Sequence, residues 1–139
     1  MPRSLDLTVA SDLENLATIA EFVTLAAQRL GLDEQQAFEV QMAVDEACAN
    51  IIQHAYGPGV HGDIYLRCTT EGDDFLVIIR DHGRAFDPSQ VSDPDLTCAL
   101  EDRQIGGLGL FFMRKLMDRV EFCFGAAGNE LRMYKRRRR

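Results

Sequence analysis

The sequence predicts an α+β two-layer sandwich: one mixed, mostly antiparallel sheet with about three helices packed on one face. Two observations carry that prediction. Segments with strand and helix periodicity follow in the order strand, two helices, two strands, a long irregular stretch, helix, two strands, which suits one sheet covered on one side. The 139 residues fit one domain, long enough to bury roughly two-thirds of the surface its unfolded chain exposes, and no repeat or internal linker divides them.

Ser4 to Val9 alternates apolar and polar residues as a half-buried strand does. Ser11 or Asp12 can cap the helix that follows, whose apolar positions Leu13, Leu16, Ile19, Ala20, Val23, Ala27 and Leu30 keep the helical period until Gly31 ends it. Asp33 starts a second helix, with Gln36 as its capping-box partner, and this helix runs on until Gly57-Pro58-Gly59. Gly62 to Thr70 and Phe75 to Arg80 read as two antiparallel strands joined by Glu71-Gly72-Asp73-Asp74. Ala85 to Gly106 has little periodicity and two prolines, so it reads as a long lid-like loop with at most a short helix around Leu96 to Glu101. Leu108 to Met117 is the third helix, and Val120 to Phe124 and Glu130 to Tyr134 are strands around a turn.

Composition narrows the class of protein. The four cysteines, Cys48, Cys68, Cys98 and Cys123, are far apart with no CxxC pair, so they read as buried small hydrophobes in a reducing compartment. No run reaches transmembrane length and the first residues lack the apolar core of a signal peptide, which makes the cytoplasm the expected location. Net charge is -7, but residues 1–134 hold ten basic and 22 acidic residues, a body of -12 that repels nucleic acid. The domain is therefore set at 1–134, and Lys135 to Arg139 is read as a disordered basic tail.

Chemistry concentrates in three segments. Glu46, Asn50 and His54 recur at four-residue steps in an otherwise apolar helix, so a carboxylate, an amide and an imidazole fall along one stripe able to converge on one ligand. From this segment alone, a stripe pointing into water beside a satisfied His54 fits as well. Asp81-His82-Gly83 ends a strand, where glycine lets a flat ligand approach and the carboxylate can accept from an amino group such as adenine's. An ordinary turn explains this motif too. Gly106-Gly107-Leu108-Gly109-Leu110 opens the third helix, where backbone N–H groups can hold an anion. Tight helix packing would explain those glycines equally well, and the segment is not a Walker A loop.

Taken together, ExxxNxxxHA, DxGxxFD and GGLGLFFMRKLMD resemble the N, G1 and G2 boxes of the GHKL (Bergerat-fold) ATPases. Within that superfamily the chain is most similar to the anti-sigma-factor serine kinases: it is short, the N box ends in HAY, FDP follows the G1 box, and Gly128-Asn129-Glu130-Leu131 opens the last strand.

The resemblance implies ATP and Mg²⁺ as cofactors, with Asn50 as the metal ligand and Glu46 as the general base. It implies that Asp81 binds the adenine amino group, that Gly83 lies beneath the base with Phe86 beside it, and that Gly106, Gly107, Leu108, Gly109 and Leu110 line the phosphates. Arg103 matches a basic lid position that neutralises γ-phosphate charge, and His54 is expected to be structural. The implied activity is that of an ATP-dependent protein serine kinase, with a sigma factor and a STAS-domain anti-anti-sigma protein as partners and a homodimer as the assembly. A non-catalytic nucleotide-binding module is the competing reading, and retention of Glu46 weighs against it. A detached histidine-kinase domain is disfavoured because no phosphoacceptor helix accompanies these motifs.

Overall fold

The computed structural model describes residues 3–56, 62–82, 97–99, 107–125 and 128–138. β1 (Ser4–Ala10) leads through a 3₁₀ turn into α1 (Leu16–Arg29) and α2 (Glu34–Asn50), which a π-helical segment, Ile51–Tyr56, prolongs. β2 (Asp63–Glu71), β3 (Asp74–Asp81) and the short β4 (Thr97–Ala99) precede α3 (Gly107–Leu116), and β5 (Arg119–Gly125) and β6 (Gly128–Arg136) close the chain. One six-stranded sheet forms in the order β1-β2-β3-β6-β5-β4.

Every described pairing is antiparallel, which corrects the expectation of a mixed sheet. The reason lies in the first connection. A single crossover helix returns the chain for a parallel strand, whereas two helices leave it at the end where β1 stopped, so β2 runs back alongside β1. Ser11 fixes that junction: its N–H donates to Gly62 O at 2.9 Å and its Oγ accepts from Gly62 N at 3.1 Å. Neither Ser11 nor Asp12 caps a helix through its side chain, contrary to expectation, because Ser11 Oγ is committed to β2.

The helix pair is built from local signals. α1 ends in a Schellman motif, with Leu32 N donating to Ala27 O and Gly31 N to Gln28 O around Gly31 at φ 105°. Asp33 and Gln36 then form both halves of the expected capping box. Strand alternation turns Ile64, Leu66 and Cys68, Phe75, Val77 and Ile79, and Leu131 and Met133 towards the helices, where they meet Ile19, Val23, Val40 and Val44 in one buried core. Phe75 is fully buried, and among the described residues it is the largest side chain so enclosed.

Two local expectations change. Residues 97–99 form a strand beside β5 and not a helical turn, since pairing with β5 satisfies their backbone. That pairing sets Cys98 opposite Cys123, and Cys123 is disulfide-bonded. The reading of the cysteines as inert hydrophobes therefore fails for Cys123 and holds for Cys48 and Cys68, which are buried and free; the Cys98 side chain lies outside the described residues. Burial pushes the Cys68 thiol up to about 12.

The basic end of the chain also departs from the expected boundary at residue 134. β6 continues to Arg136, whose carbonyl accepts from Gln36 Nε2 at 2.7 Å. Lys135 Nζ pairs with Glu39 at 3.1 Å. Arg137 clasps the β2–β3 turn, donating from Nη2 to Gly72 O at 2.6 Å and from its backbone N to Asp73 O at 3.0 Å. Arg138 reaches Asp33 at 3.2 Å. The cationic residues find acidic groups and turn carbonyls, and that is why 135–138 join the fold. We expect Arg137→Ala to lower stability by about 1 kcal/mol, since these bonds are partly exposed to water. Thermal unfolding should show a loss of roughly 3–5 °C, and an unchanged Tm would mean that the clasp contributes nothing.

Candidate functional site

The site forms at the end of the sheet where β3 stops and β6 begins, beneath α2. Residues 75, 77 and 79 of β3 face the helices, so strand alternation directs Asp81 to the same side. Asp81 is 5% exposed, and its Oδ1 accepts from Asn129 Nδ2 at 3.1 Å. Asn129 is its direct partner across the β3–β6 ladder. The Asn129 amide oxygen is buried and has no hydrogen-bond partner among the described residues. An orphaned acceptor beside a carboxylate is what an amino group or a bound water would satisfy, and to that extent the corner fits an adenine ring.

Gly128 makes this corner possible. Its φ is 130°, and a Cβ there would lie 2.4 Å from the Asp81 carbonyl oxygen and 2.7 Å from His82 Nδ1. Any side chain would force the Asp81 backbone and the His82 ring away from β6.

Above the corner runs α2. Glu46 and Asn50 are both half-buried on it, one turn apart and so about 6 Å along the axis. Cys48 links the helix to the corner electrostatically: burial first, then the charges of Asp45 and Asp81, hold its thiol well above the usual range. Asp45 is half-buried too. Burial raises its carboxyl above the ordinary value despite a hydrogen bond from Gln41, and its Oδ1 has no hydrogen-bond partner among the described residues.

Regular α-helix ends at Asn50, and Ile51–Tyr56 winds as a π-helix. The wider turn breaks the four-residue step, so the stripe that sequence extended to His54 is secured by α-geometry only for Glu46 and Asn50; the His54 side chain lies outside the described residues. π-turns occur preferentially at functional sites.

α3 begins at Gly107 and packs against α2. Gly107, Leu108, Gly109 and Leu110 therefore occupy its first turn, where unpaired backbone N–H groups and the helix dipole favour an anion. Phe112 of α3 joins Leu16 and Ala17 of α1 and Met42, Asp45 and Glu46 of α2 around an open groove of about 480 Å³.

The structure thus brings Glu46, Asn50, Asp81 and the α3 glycines to one end of the sheet. Gly83, Phe86, Arg103 and Gly106 lie outside the described residues, as does all of the expected lid except Thr97–Ala99. Asn129 is the residue that sequence reasoning missed; its only signal is the register of β6 against β3. Asn50 on α2 would offer a divalent cation a hard oxygen donor. Among the described residues no group of three or more His, Cys, Asp or Glu could hold a metal, so phosphate and water oxygens would complete the shell.

Comparison with known proteins places these features in context. Residues 9–135 match the histidine kinase-like ATPase domain family. The chain is 32% identical over 124 residues to the serine-protein kinase RsbW of Halalkalibacterium halodurans, covering 86% of this chain and 75% of that one. It is 31% identical over 121 residues to serine-protein kinase RsbW of Bacillus subtilis, again covering 75% of the relative. The serine/threonine-protein kinase BtrW of Bordetella bronchiseptica is 36% identical over 85 residues, 61% of this chain and 60% of that one. Among solved structures, the RsbU and RsbW domains of a Mycobacterium tuberculosis protein align over 96% of this chain and 32% of that one with a TM-score of 0.69, at 18% identity.

Proposed function

This chain belongs to the histidine kinase-like ATPase domain family, among relatives named serine-protein kinase RsbW, and on that premise we propose that it is a protein serine kinase that moves the γ-phosphoryl group of ATP onto a serine of a partner protein. The observation that carries this reading is the gathering of Glu46, Asn50, Asp81 and the N-terminus of α3 at one end of the sheet, with a groove open beside Glu46.

Each group has a task. Asp81, held by Asn129, accepts a hydrogen bond from the adenine amino group. The first-turn N–H groups of α3, bared by Gly107 and Gly109, hold phosphate oxygens at the positive end of the helix. Glu46 takes the proton of the serine hydroxyl as its oxygen bonds to the γ-phosphorus and the bond to the ADP oxygen breaks. Asn50 is the residue to hold Mg²⁺, which when bound neutralises phosphate charge. Arg103 is proposed to offset charge developing on the transferred group.

The partners proposed are a sigma factor that the protein sequesters and a STAS-domain anti-anti-sigma protein that carries the acceptor serine, with a homodimer as the assembly. Among the described residues no helix is long and apolar enough to cross a membrane. A kinase that sequesters a sigma factor acts where transcription does, so the cytoplasm is the proposed location. Incubation with γ-labelled ATP and the STAS-domain protein encoded nearby in the genome tests the reading. Label on a serine of that partner is expected. ATP binding with no label transferred would favour the nucleotide-binding module instead.

A further inference from the structure

We propose that the groove between α1 and α2 beside Glu46 seats the partner segment that carries the acceptor serine, binding it as a short apolar stretch that donates a hydrogen bond to Asp45. The proposal rests on the kinase reading above and names the substrate chemistry of the same site.

The groove arises because the facing positions are small. α1 and α2 run antiparallel, with Thr24 Oγ1 and Gln41 Oε1 3.3 Å apart, and Ala17 and Ala20 on α1 and Ala49 on α2 leave a trough that Leu16, Met42 and Phe112 wall. The trough is about 480 Å³, a size typical of sites that enclose ligand groups. Leu13 and Phe111, one turn before Leu16 and adjacent to Phe112 in sequence, stay 52% and 57% exposed.

Chemistry then dictates the occupant. A hydroxyl that gives its proton to Glu46 must come within about 3 Å of it, and each neighbouring residue of an extended chain lies only ~3.5 Å further on. Residues flanking the serine must therefore cross the surface that adjoins Glu46, and that surface is apolar. Among the described residues that line it, the polar groups are the carboxylates of Asp45 and Glu46, which repel an acidic segment and accept from a donor-bearing one. Asp45 lines the groove and is half-buried, and its Oδ1 has no hydrogen-bond partner among the described residues. An N–H or O–H of the incoming segment would satisfy it, and nothing else described here does.

The test measures initial rates of phosphate transfer from ATP against concentration of the STAS-domain partner, using the full chain and two variants. Ala17→Trp fills the trough from an exposed helix position, and Asp45→Ala removes the orphaned acceptor. We expect the KM for the partner to rise about tenfold or more in Ala17→Trp and severalfold in Asp45→Ala. Affinity for ATP, measured by calorimetry on the same samples, should stay within about twofold of wild type, which also shows that the variants are folded. An unchanged partner KM in Ala17→Trp overturns the proposal, and so does an equal loss of ATP affinity. If the wild type transfers no phosphate, the kinase reading falls and the groove is judged by partner Kd alone. A tenfold weakening by Ala17→Trp then supports it, whereas equal affinity, or no binding by the wild type, overturns it.

Discussion

Replacing Glu46 with glutamine is expected to leave ATP and partner binding in place while lowering phosphate transfer by a hundredfold to ten-thousandfold. The estimate follows from what the change removes: glutamine keeps the shape and a hydrogen-bonding oxygen of glutamate but cannot take a proton, and general-base contributions are typically about 10²–10⁴-fold. Glu46 lies half-buried on the interior turn of a well-capped helix, so the substitution carries little risk of a misplaced side chain. Transfer rates with saturating ATP, read beside calorimetric affinities for nucleotide and partner, separate chemistry from binding. A fully active Glu46→Gln enzyme would show that positioning alone suffices. Equal loss of binding and rate would assign Glu46 to the architecture of the site.

The second large effect is expected at Asp81. Asp81→Ala removes a buried acceptor and strands Asn129 Nδ2, whose bond to Asp81 Oδ1 spans 3.1 Å. Losing a buried hydrogen bond and leaving its partner unsatisfied costs about 1–3 kcal/mol, so ATP affinity should fall roughly fivefold to 150-fold. The same chemistry sets base selectivity. An ionised carboxylate accepts from the 6-amino group of adenine but faces the 6-oxo group of guanine with like polarity, and wild type should discriminate against GTP by a similar factor. Titration of wild type and variant with both nucleotides checks this. Equal affinity of the wild type for ATP and GTP would remove Asp81 from the adenine contact.

Most of this architecture was legible in the sequence because its causes are local. The capping box at Asp33 and Gln36, the glycine that ends α1 and the hairpin joining β2 to β3 each draw on neighbours a few positions away, and each forms as expected, though Glu71 and Asp74 pair within the strands and leave a turn of Gly72-Asp73. The spacing of Glu46 and Asn50 is likewise a property of one helix. What escaped the sequence depends on registers between distant strands. Asn129 meets Asp81, and Cys98 faces Cys123, only because β6 pairs with β3 and β4 with β5 at particular offsets, and no local pattern encodes an offset. The basic end was misjudged for the same reason: the groups that hold Arg137 and Arg138, at Gly72, Asp73 and Asp33, are more than 60 residues away in sequence. The π-helical turn after Asn50 has no sequence signal that we can identify.

The central claim is that ATP occupies the corner between α2, the end of β3 and the start of α3. A crystal structure of the chain with Mg²⁺ and a non-hydrolysable ATP analogue measures this directly. The account predicts the adenine amino group within hydrogen-bond distance of Asp81, phosphate oxygens at the first turn of α3, and the metal on Asn50 Oδ1 with the γ-phosphate turned towards Glu46. A nucleotide bound elsewhere, or one seated with its base away from Asp81, would contradict it.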